Sequence, residues 1–582
     1  MRLARHSPAT PAFPLPTPAR PAAPALARAL ALAALAASTT VSAATPAPDA
    51  GSLLQQVEKT APRPAAMPAL PPAAASAAPV RAAGAAAITV VAFRFEGNRL
   101  LDDQRLAAVV APWVGRPLGF DDLQQAAAAV ARAYRDAGWV VRALLPQQDI
   151  TAGTVRIRVV EASFGGTQWR GEAPRRVAPD RIAAMVLSAQ PAGQPLRADA
   201  LDRALLLLGE LPGVSVTGDL VPGAADGETA LRLQAIDKPL VAGQLTFDNG
   251  GSRATGAARA VASLQLESPA RLGDQATLQL VGSAGSRYIR LDEVLPVGND
   301  GWRVGVDASA LAYRLVTPDF EALDAHGRST SWGAQTSYPL WRSRRGSLDL
   351  GIAADRQRFD NQSAGFTTSR YGVDTLATTL SGRSFDEFAG GGVDQASVGW
   401  TDGRVRPDAL PSETADARNA GGFGKWSLAL SRLQTLAHTW TAQAALSAQL
   451  ASRNLDGSEK FTLGGPAGVR AYPAGEAGGS DGAMVNLDLR KALSDQASVS
   501  AFYDAGVVRA QHHPLATDTD PHNRVALRGL GLSTAWRPVA AATLQATWAH
   551  RLGRNADATS TGRDQDGSLV HNRFWLQASA SF

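Results

Sequence analysis

Along the last 346 residues, from 237 to 582, apolar and polar positions alternate in short runs divided by Gly, Asp, Asn and Ser. Trp302, Val304, Val306, Ala308 and Ala310 alternate with Arg303, Gly305, Asp307 and Ser309. Leu348, Leu350, Ile352 and Ala354 alternate with Asp349, Gly351 and Asp355, and Val485, Leu487 and Leu489 with Asn486, Asp488 and Arg490. A period of two sends the two kinds to opposite faces of a strand. About sixteen such runs recur at the spacing of a strand plus a connection. The apolar faces are largely Ala, Val and Leu, without the bulky fill of a sandwich core, and Trp302, Trp332, Trp341, Trp426 and Trp536 stand at or near run ends. This pattern predicts an all-β membrane domain: an antiparallel transmembrane barrel with lipid outside, an aqueous lumen inside and aromatic girdles at both interfaces.

Upstream the period changes. Over residues 88–236 two copies of one α/β unit are predicted. The first opens on a strand, Ile88 to Phe95; Asp102 or Asp103 caps a helix ending at Pro112, Asp121 caps a second, and Gly138 stops it. A hairpin from Trp139 to Val160 closes the unit. Gly115-Arg116-Pro117-Leu118 returns 78 residues later as Gly193-Gln194-Pro195-Leu196, with Leu123, Ala126 and Val130 echoed by Leu201, Ala204 and Leu208. Pro212-Gly213 and strands near Val214–Val216 and Ala230–Ala235 complete the second copy. Before the repeats, Ser52 to Lys59 reads as a short helix with Leu53, Leu54 and Val57 on one face and Ser52 or Asp49 as its cap. So short a helix must dock to persist. Residues 60–87, rich in Pro and Ala, read as an extended linker.

Charge and composition narrow the function. The net charge of +5 resides wholly in residues 1–87, so the rest of the chain is neutral and offers no basic patch for nucleic acid. Arg20 and Arg28 precede an apolar run from Ala29 to Ala37, and Val41-Ser42-Ala43 offers small residues for cleavage after about Ala43. A secretion signal over 1–43 is therefore expected, then the helix and linker over 44–87, the α/β domains over 88–162 and 163–236, and the barrel over 237–582. No cysteine is present, which excludes disulfides and Cys-based metal or redox motifs. No run of eighteen apolar residues supplies a membrane helix, a test that barrel strands escape.

Catalytic chemistry finds little support. His438 and His550 fall on predicted strands with nothing nearby to organise a triad. His512, His513 and His522 share one polar loop with Pro514 and Pro521, at a spacing that matches no defined metal site. No cofactor or nucleotide motif is visible, and no enzyme is expected. The final strand places Phe574, Leu576, Ala578, Ala580 and Phe582 on one face. Its terminal aromatic, Phe582, is similar to the signal that hands bacterial barrels to their insertion machinery.

Signal, short helix, Pro-rich linker, two α/β repeats and barrel, in that order, resemble the outer-membrane transporters of two-partner secretion, the TpsB or hemolysin-activator type. The repeats look like polypeptide-transport-associated (POTRA) domains. Leu145-Pro146-Gln147-Gln148, Gly153 and the alternating Val155, Ile157, Val159 and Glu161 are similar to the family's end-of-domain hairpin. Ala204 through Leu208, then Gly209-Glu210-Leu211-Pro212-Gly213-Val214, is similar to its Leu-rich helix and turn. Phe461-Thr462-Leu463-Gly464-Gly465-Pro466 leads into Val469-Arg470-Ala471-Tyr472, where the family has Val-Arg-Gly-Tyr/Phe at the tip of a loop folded into the pore. Ala471 in place of Gly is costly if that position needs a positive φ.

The resemblance implies that Arg470 pairs with an acidic residue of the segment Phe502-Tyr503-Asp504. Alternation agrees, since an inward phase for Ser500, Phe502 and Asp504 keeps the carboxylate off lipid. It also implies that the helix near Leu53, Leu54 and Val57 plugs the lumen. The expected activity is export of a large secreted partner, recognised by the POTRA domains and passed unfolded through the pore without ATP. The other partners are outer-membrane lipid and the insertion machinery. Export is set against one alternative, a barrel assembly or insertion factor of the same superfamily, which more repeats and no plug helix would favour.

Overall fold

The structure is a computed structural model that describes residues 48–60, 88–150, 152–409, 419–514, 523–559 and 561–582. The expected secretion signal, the linker over 61–87 and His522 lie outside the described residues.

The two α/β units share one topology. In the first, Ala92–Glu96 pairs in parallel with Thr154–Glu161, which also pairs antiparallel with Val141–Leu144. In the second, Ser163–Trp169 runs parallel to Glu228–Asp237, whose other neighbour is Val214–Pro222. The last strand is central each time, so the first strand and the hairpin's outer strand are left as edges. Helices Asp103–Val110 and Phe120–Asp136 cover the first sheet, and Pro179–Ala189 and Ala198–Gly209 the second, with Leu106, Val130, Tyr134 and Ile157 buried in one core and Ile182, Leu208 and Leu233 in the other.

Two local expectations are corrected. The run Ile88–Phe95 is two strands, because Ile88–Thr89 pairs with Pro117–Leu118 while Ala92–Glu96 turns to Thr154–Glu161. Both halves are extended, so the change of partner leaves no trace in the apolar pattern. The second helix begins at Phe120 and is capped by Gly119, whose N–H donates to Asp122 (3.0 Å); Asp121 lies inside its first turn. Asp102 caps the first helix, accepting from the Arg105 N–H at 2.8 Å.

From Val241 onward the described residues form a closed barrel of sixteen antiparallel strands. Val241–Asp248 and Asn572–Ser581 close it, pairing from Gln244–Ser581 to Asp248–Gln577. Trp302, Val304 and Val306 point outward, while Arg303, Gly305 and Asp307 point into the lumen. Trp302, Trp341 and Trp536 stand at the strand ends nearest the α/β domains, all about half exposed. A bulge at Pro339/Trp341 turns Trp341 outward. Trp332 and Trp426 lie inside their strands, not near an end, because His326–Ser343 and Gly421–Ala437 continue past the far girdle. Trp426 pairs directly with Trp400, ring centroids 4.9 Å apart.

The second α/β unit rests on the near rim. Arg181 donates to the Pro296 and Gly298 carbonyls, both at 2.9 Å, and Arg203 to that of Pro339 at 3.0 Å. Glu210 accepts from Arg342 Nε (2.6 Å) and Arg303 (3.2 Å), and Arg342 also grips Asp349 at 2.8 Å.

Candidate functional site: the occupied lumen

Two segments occupy part of the barrel interior. The first is the helix Ala50–Thr60. Asp49 caps it, its carboxylate accepting from the Ser52 N–H at 2.9 Å. Leu53 and Leu54 are buried against inward-facing wall residues, among them Val281, Tyr288, Leu311, Tyr371 and Val373, and Val57 packs half-buried beside them. Polar contacts complete the docking. The Ala50 N–H donates to Asn361 (2.8 Å), Tyr288 donates to Glu58 (3.2 Å) and Arg259 to Thr60 (2.7 Å). Enclosure by the lumen walls lowers the Lys59 amine to about 8.

The second segment is the connection from Ser452 to Ser480, which turns back into the lumen. Phe461–Thr462 pairs with Gly478–Gly479 as its stem. Gly468 is required at the neck, because a Cβ there would lie 1.9 Å from the Leu463 carbonyl oxygen. Helix and loop touch: Lys59 donates to the Thr462 carbonyl (2.8 Å) and Gln55 to that of Lys460.

At the loop's tip Val469, Ala471 and Tyr472 are fully buried. Arg470 donates to Asp504 from its backbone N–H and Nε (both 2.9 Å) and Nη2 (2.8 Å), and to Asp488 from Nη1 (2.9 Å) and Nη2 (3.0 Å). Its guanidinium lies 3.6 Å from the centre of the Phe502 ring. Asp504 is 0% exposed and accepts a further bond from Asn486 at 2.8 Å. The charge-assisted, bidentate geometry is the strong kind, and it leaves no bare charge. Arg470 and Asp504 thus meet, with Phe502 beneath them.

Asp488, Asn486 and Trp575 join the site without a role expected for them from the sequence. Asp488 and Asn486 carry a legible signal: they are the polar positions of the run Val485–Leu489, and the register sets them opposite Phe502 and Asp504. Trp575, whose Nε1 donates to the Arg470 carbonyl at 2.8 Å, carries none, because only barrel closure brings the last strand to this loop. The doubt over Ala471 is answered differently. Ala471 lies outside the left-handed region, and its methyl sits over Gly529, where an added Cβ would come within 2.5 Å of it.

A second loop clasps the first. Glu476, 0% exposed, accepts from the Gln565 N–H (2.9 Å) and from Asn555, and Asp557 accepts from the Ala477 N–H at 3.1 Å. Burial raises the Glu476 carboxyl to about 8, against these two donors.

The histidines are scattered. His438 sits in the turn between Gly421–Ala437 and Trp440–Ala451, not on a strand, because the hairpin ends one residue earlier. His550 is on a strand, its ring 2.9 Å from Asn572. His512 bonds Asp481 at 2.8 Å with His513 edge-on to its ring. Phe582 is exposed on the outer face with Phe574 and Leu576.

Comparison with known proteins agrees with this architecture. Residues 227–534 match the family model described as haemolysin secretion/activation protein ShlB/FhaC/HecB, and residues 88–162 match the POTRA domain, ShlB-type. The heme/hemopexin transporter protein HuxB of Haemophilus influenzae (strain 86-028NP) is 23% identical over 506 residues, 85% of this chain and 87% of HuxB. The outer membrane transporter CdiB of Dickeya dadantii is 24% identical over 419 residues, 69% of this chain and 72% of that protein. Among solved structures, CdiB from Escherichia coli superposes with a TM-score of 0.67 at 20% identity, covering 87% of this chain and 93% of its own. CdiB from Acinetobacter baumannii gives 0.63 at 15% identity, covering 91% and 96%. The barrel lies in the outer membrane with the α/β domains in the periplasm. The chain belongs to the ShlB/FhaC/HecB haemolysin secretion/activation family, the outer-membrane transporters of two-partner secretion.

Proposed function

We propose that this protein captures one large secreted partner in the periplasm and passes it, extended, through its own barrel to the cell surface. The observation that carries the reading is the doubly occupied lumen. A helix and a loop are held there by small apolar contacts together with hydrogen bonds and ion pairs, and a passing chain and water can replace the polar ones one at a time. The periplasmic sheets supply the capture surface. Ala92–Glu96, Val141–Leu144 and Val214–Pro222 are edge strands, to which an unfolded segment adds through main-chain bonds, with side-chain pockets giving partner choice. The helix then leaves the pore, while Arg470 holds the loop on the wall beside the path.

No step in this scheme uses ATP or a catalytic group; folding of the cargo outside makes transit one-way. The plug helix and two periplasmic domains favour export over assembly of other barrels. During its own biogenesis the chain is handed over through Phe582. Co-expression with a candidate large secreted partner tests the reading. The partner is expected in the medium only when this chain is present, and its appearance without this chain refutes the proposal.

A further inference from the structure

Outside the barrel, beyond the far girdle, the lipid-facing pattern gives way to arginine. In one row across neighbouring strands Trp332 faces Arg356, Arg356 faces Asp374 and Asp374 faces Arg404. In the next row outward Arg358 faces Gly372 and Gly372 faces Arg406. Four guanidiniums therefore surround one carboxylate and one residue with no side chain. Asp374 is engaged by Arg356 at 2.6 Å and Arg406 at 2.7 Å. Arg358 and Arg404 are exposed and make no ion pair among the described residues. One row further, Arg328 and Arg370 share Asp360 at 3.6 and 3.2 Å. Asp402, below Arg404, and the exposed Asp408, beyond Arg406, add two carboxylates to Asp374 and Asp360, and the six guanidiniums still leave the patch positive.

The level of the patch identifies its surroundings. Arg356 lies over the Trp332 ring, 5.6 Å from its centre. Arg404 is four residues beyond Trp400, about 13 Å along the strand at ~3.3 Å per residue. The α/β domains fix the opposite rim as periplasmic, so these side chains stand at the headgroup level of the outer leaflet. Arg358 and Arg406 flank bare Gly372 across two strand spacings, about 10 Å, which leaves room for a tetrahedral anion between two bidentate donors.

We infer that this quartet, Arg356, Arg358, Arg404 and Arg406, binds the sugar phosphates of the outer leaflet's phosphorylated glycolipid, with Trp332 and the Trp400–Trp426 pair against its acyl chains. A neutral headgroup gives the unpaired guanidiniums no anion, a zwitterionic one offers a single phosphate already offset by its own ammonium, and a lone phosphate lacks the chains that reach the tryptophans.

Full-length protein in nanodiscs, assayed by native mass spectrometry, tests this. The probes are bisphosphorylated lipid A, the same lipid A stripped of both phosphates, phosphatidylglycerol, and inorganic phosphate as competitor. Bisphosphorylated lipid A is expected to be retained roughly tenfold over the stripped lipid and over phosphatidylglycerol, unaffected by millimolar phosphate. The double variant Arg358→Gln/Arg404→Gln is expected to lose that preference while keeping the heat-modifiable gel mobility of a folded barrel. Should the double variant not fold, Arg404→Gln alone is read on the same scale. Equal retention of the stripped lipid or of phosphatidylglycerol, displacement by inorganic phosphate, or an undiminished preference in a folded variant overturns the assignment.

Discussion

Arg470 is held to two carboxylates by five hydrogen bonds, and its value follows from what its loss would leave behind. Arg470→Ala leaves Asp504 fully buried with no countercharge, held only by the backbone N–H of residue 470 and by Asn486, a loss of about 3–5 kcal/mol in docking the loop. Export of the partner is expected to stop while the barrel still inserts; wild-type secretion from this variant would refute the role given to the loop. Arg470→Lys restores the charge without the planar fork, so rescue is expected to be partial at most. Glu293 shows the opposite economy. It is exposed on the outer face between Leu291 and Leu295, four residues from the periplasmic end of its strand, with no partner among the described residues. Glu293→Leu should raise barrel stability in bilayers by roughly 1–2 kcal/mol, less than the gain from removing a midplane Lys or Arg. An unchanged or lowered unfolding midpoint in urea would show that this carboxylate is not lipid-facing.

The two lumen segments differ in how they are kept in place. The helix Ala50–Thr60 is too short to persist alone and depends on the wall for its fold. Deleting Ser52–Lys59 is expected to raise single-channel conductance in planar bilayers severalfold, and an unaltered conductance would count against a plug. The loop is held through Glu476, whose burial raises its pKa from 4.5 to about 8. The docked loop thus binds the proton more tightly than a released one. The Glu476 contribution to docking is fully present below about pH 4.5, falls as pH rises, and is lost above about 8. Spin labels on loop and wall should report more release at pH 8 than at pH 5, and Glu476→Gln should flatten the profile. A wild-type profile already flat would exclude Glu476 as the titrating group.

For the whole molecule, the question is how the periplasmic domains are aimed at the pore. The second domain meets the rim at Glu210, buried between Arg342 and Arg303, with backbone carbonyls near the periplasmic strand ends taking Arg181 and Arg203. Glu210→Ala leaves Arg342 only Asp349, and the domain should swing more freely. A broadened distance distribution between spin labels on domain and barrel, with secretion reduced severalfold, is the expected result. An unaltered distribution would mean that the other rim contacts suffice. Glu210 was read in the sequence only as part of a Leu-rich helix and its turn. Nothing local to Glu210 points to Arg342, 132 residues away.

By itself the sequence determined whatever repeats at short range. The period of two specified barrel strands and their inward phase, including that of Asp504. The 78-residue echo specified two like domains, and Leu53, Leu54 and Val57 specified one sticky helical face. These are properties of neighbouring residues, set by backbone geometry and by the cost of exposing apolar or burying charged groups. Tertiary structure alone decided which distant groups share an environment. Barrel closure brought Trp575 to the Arg470 carbonyl, the change of partner at Val90 broke one strand into two, and sheet register gathered four arginines around Gly372. Such meetings depend on register and closure over hundreds of residues, which no local pattern encodes.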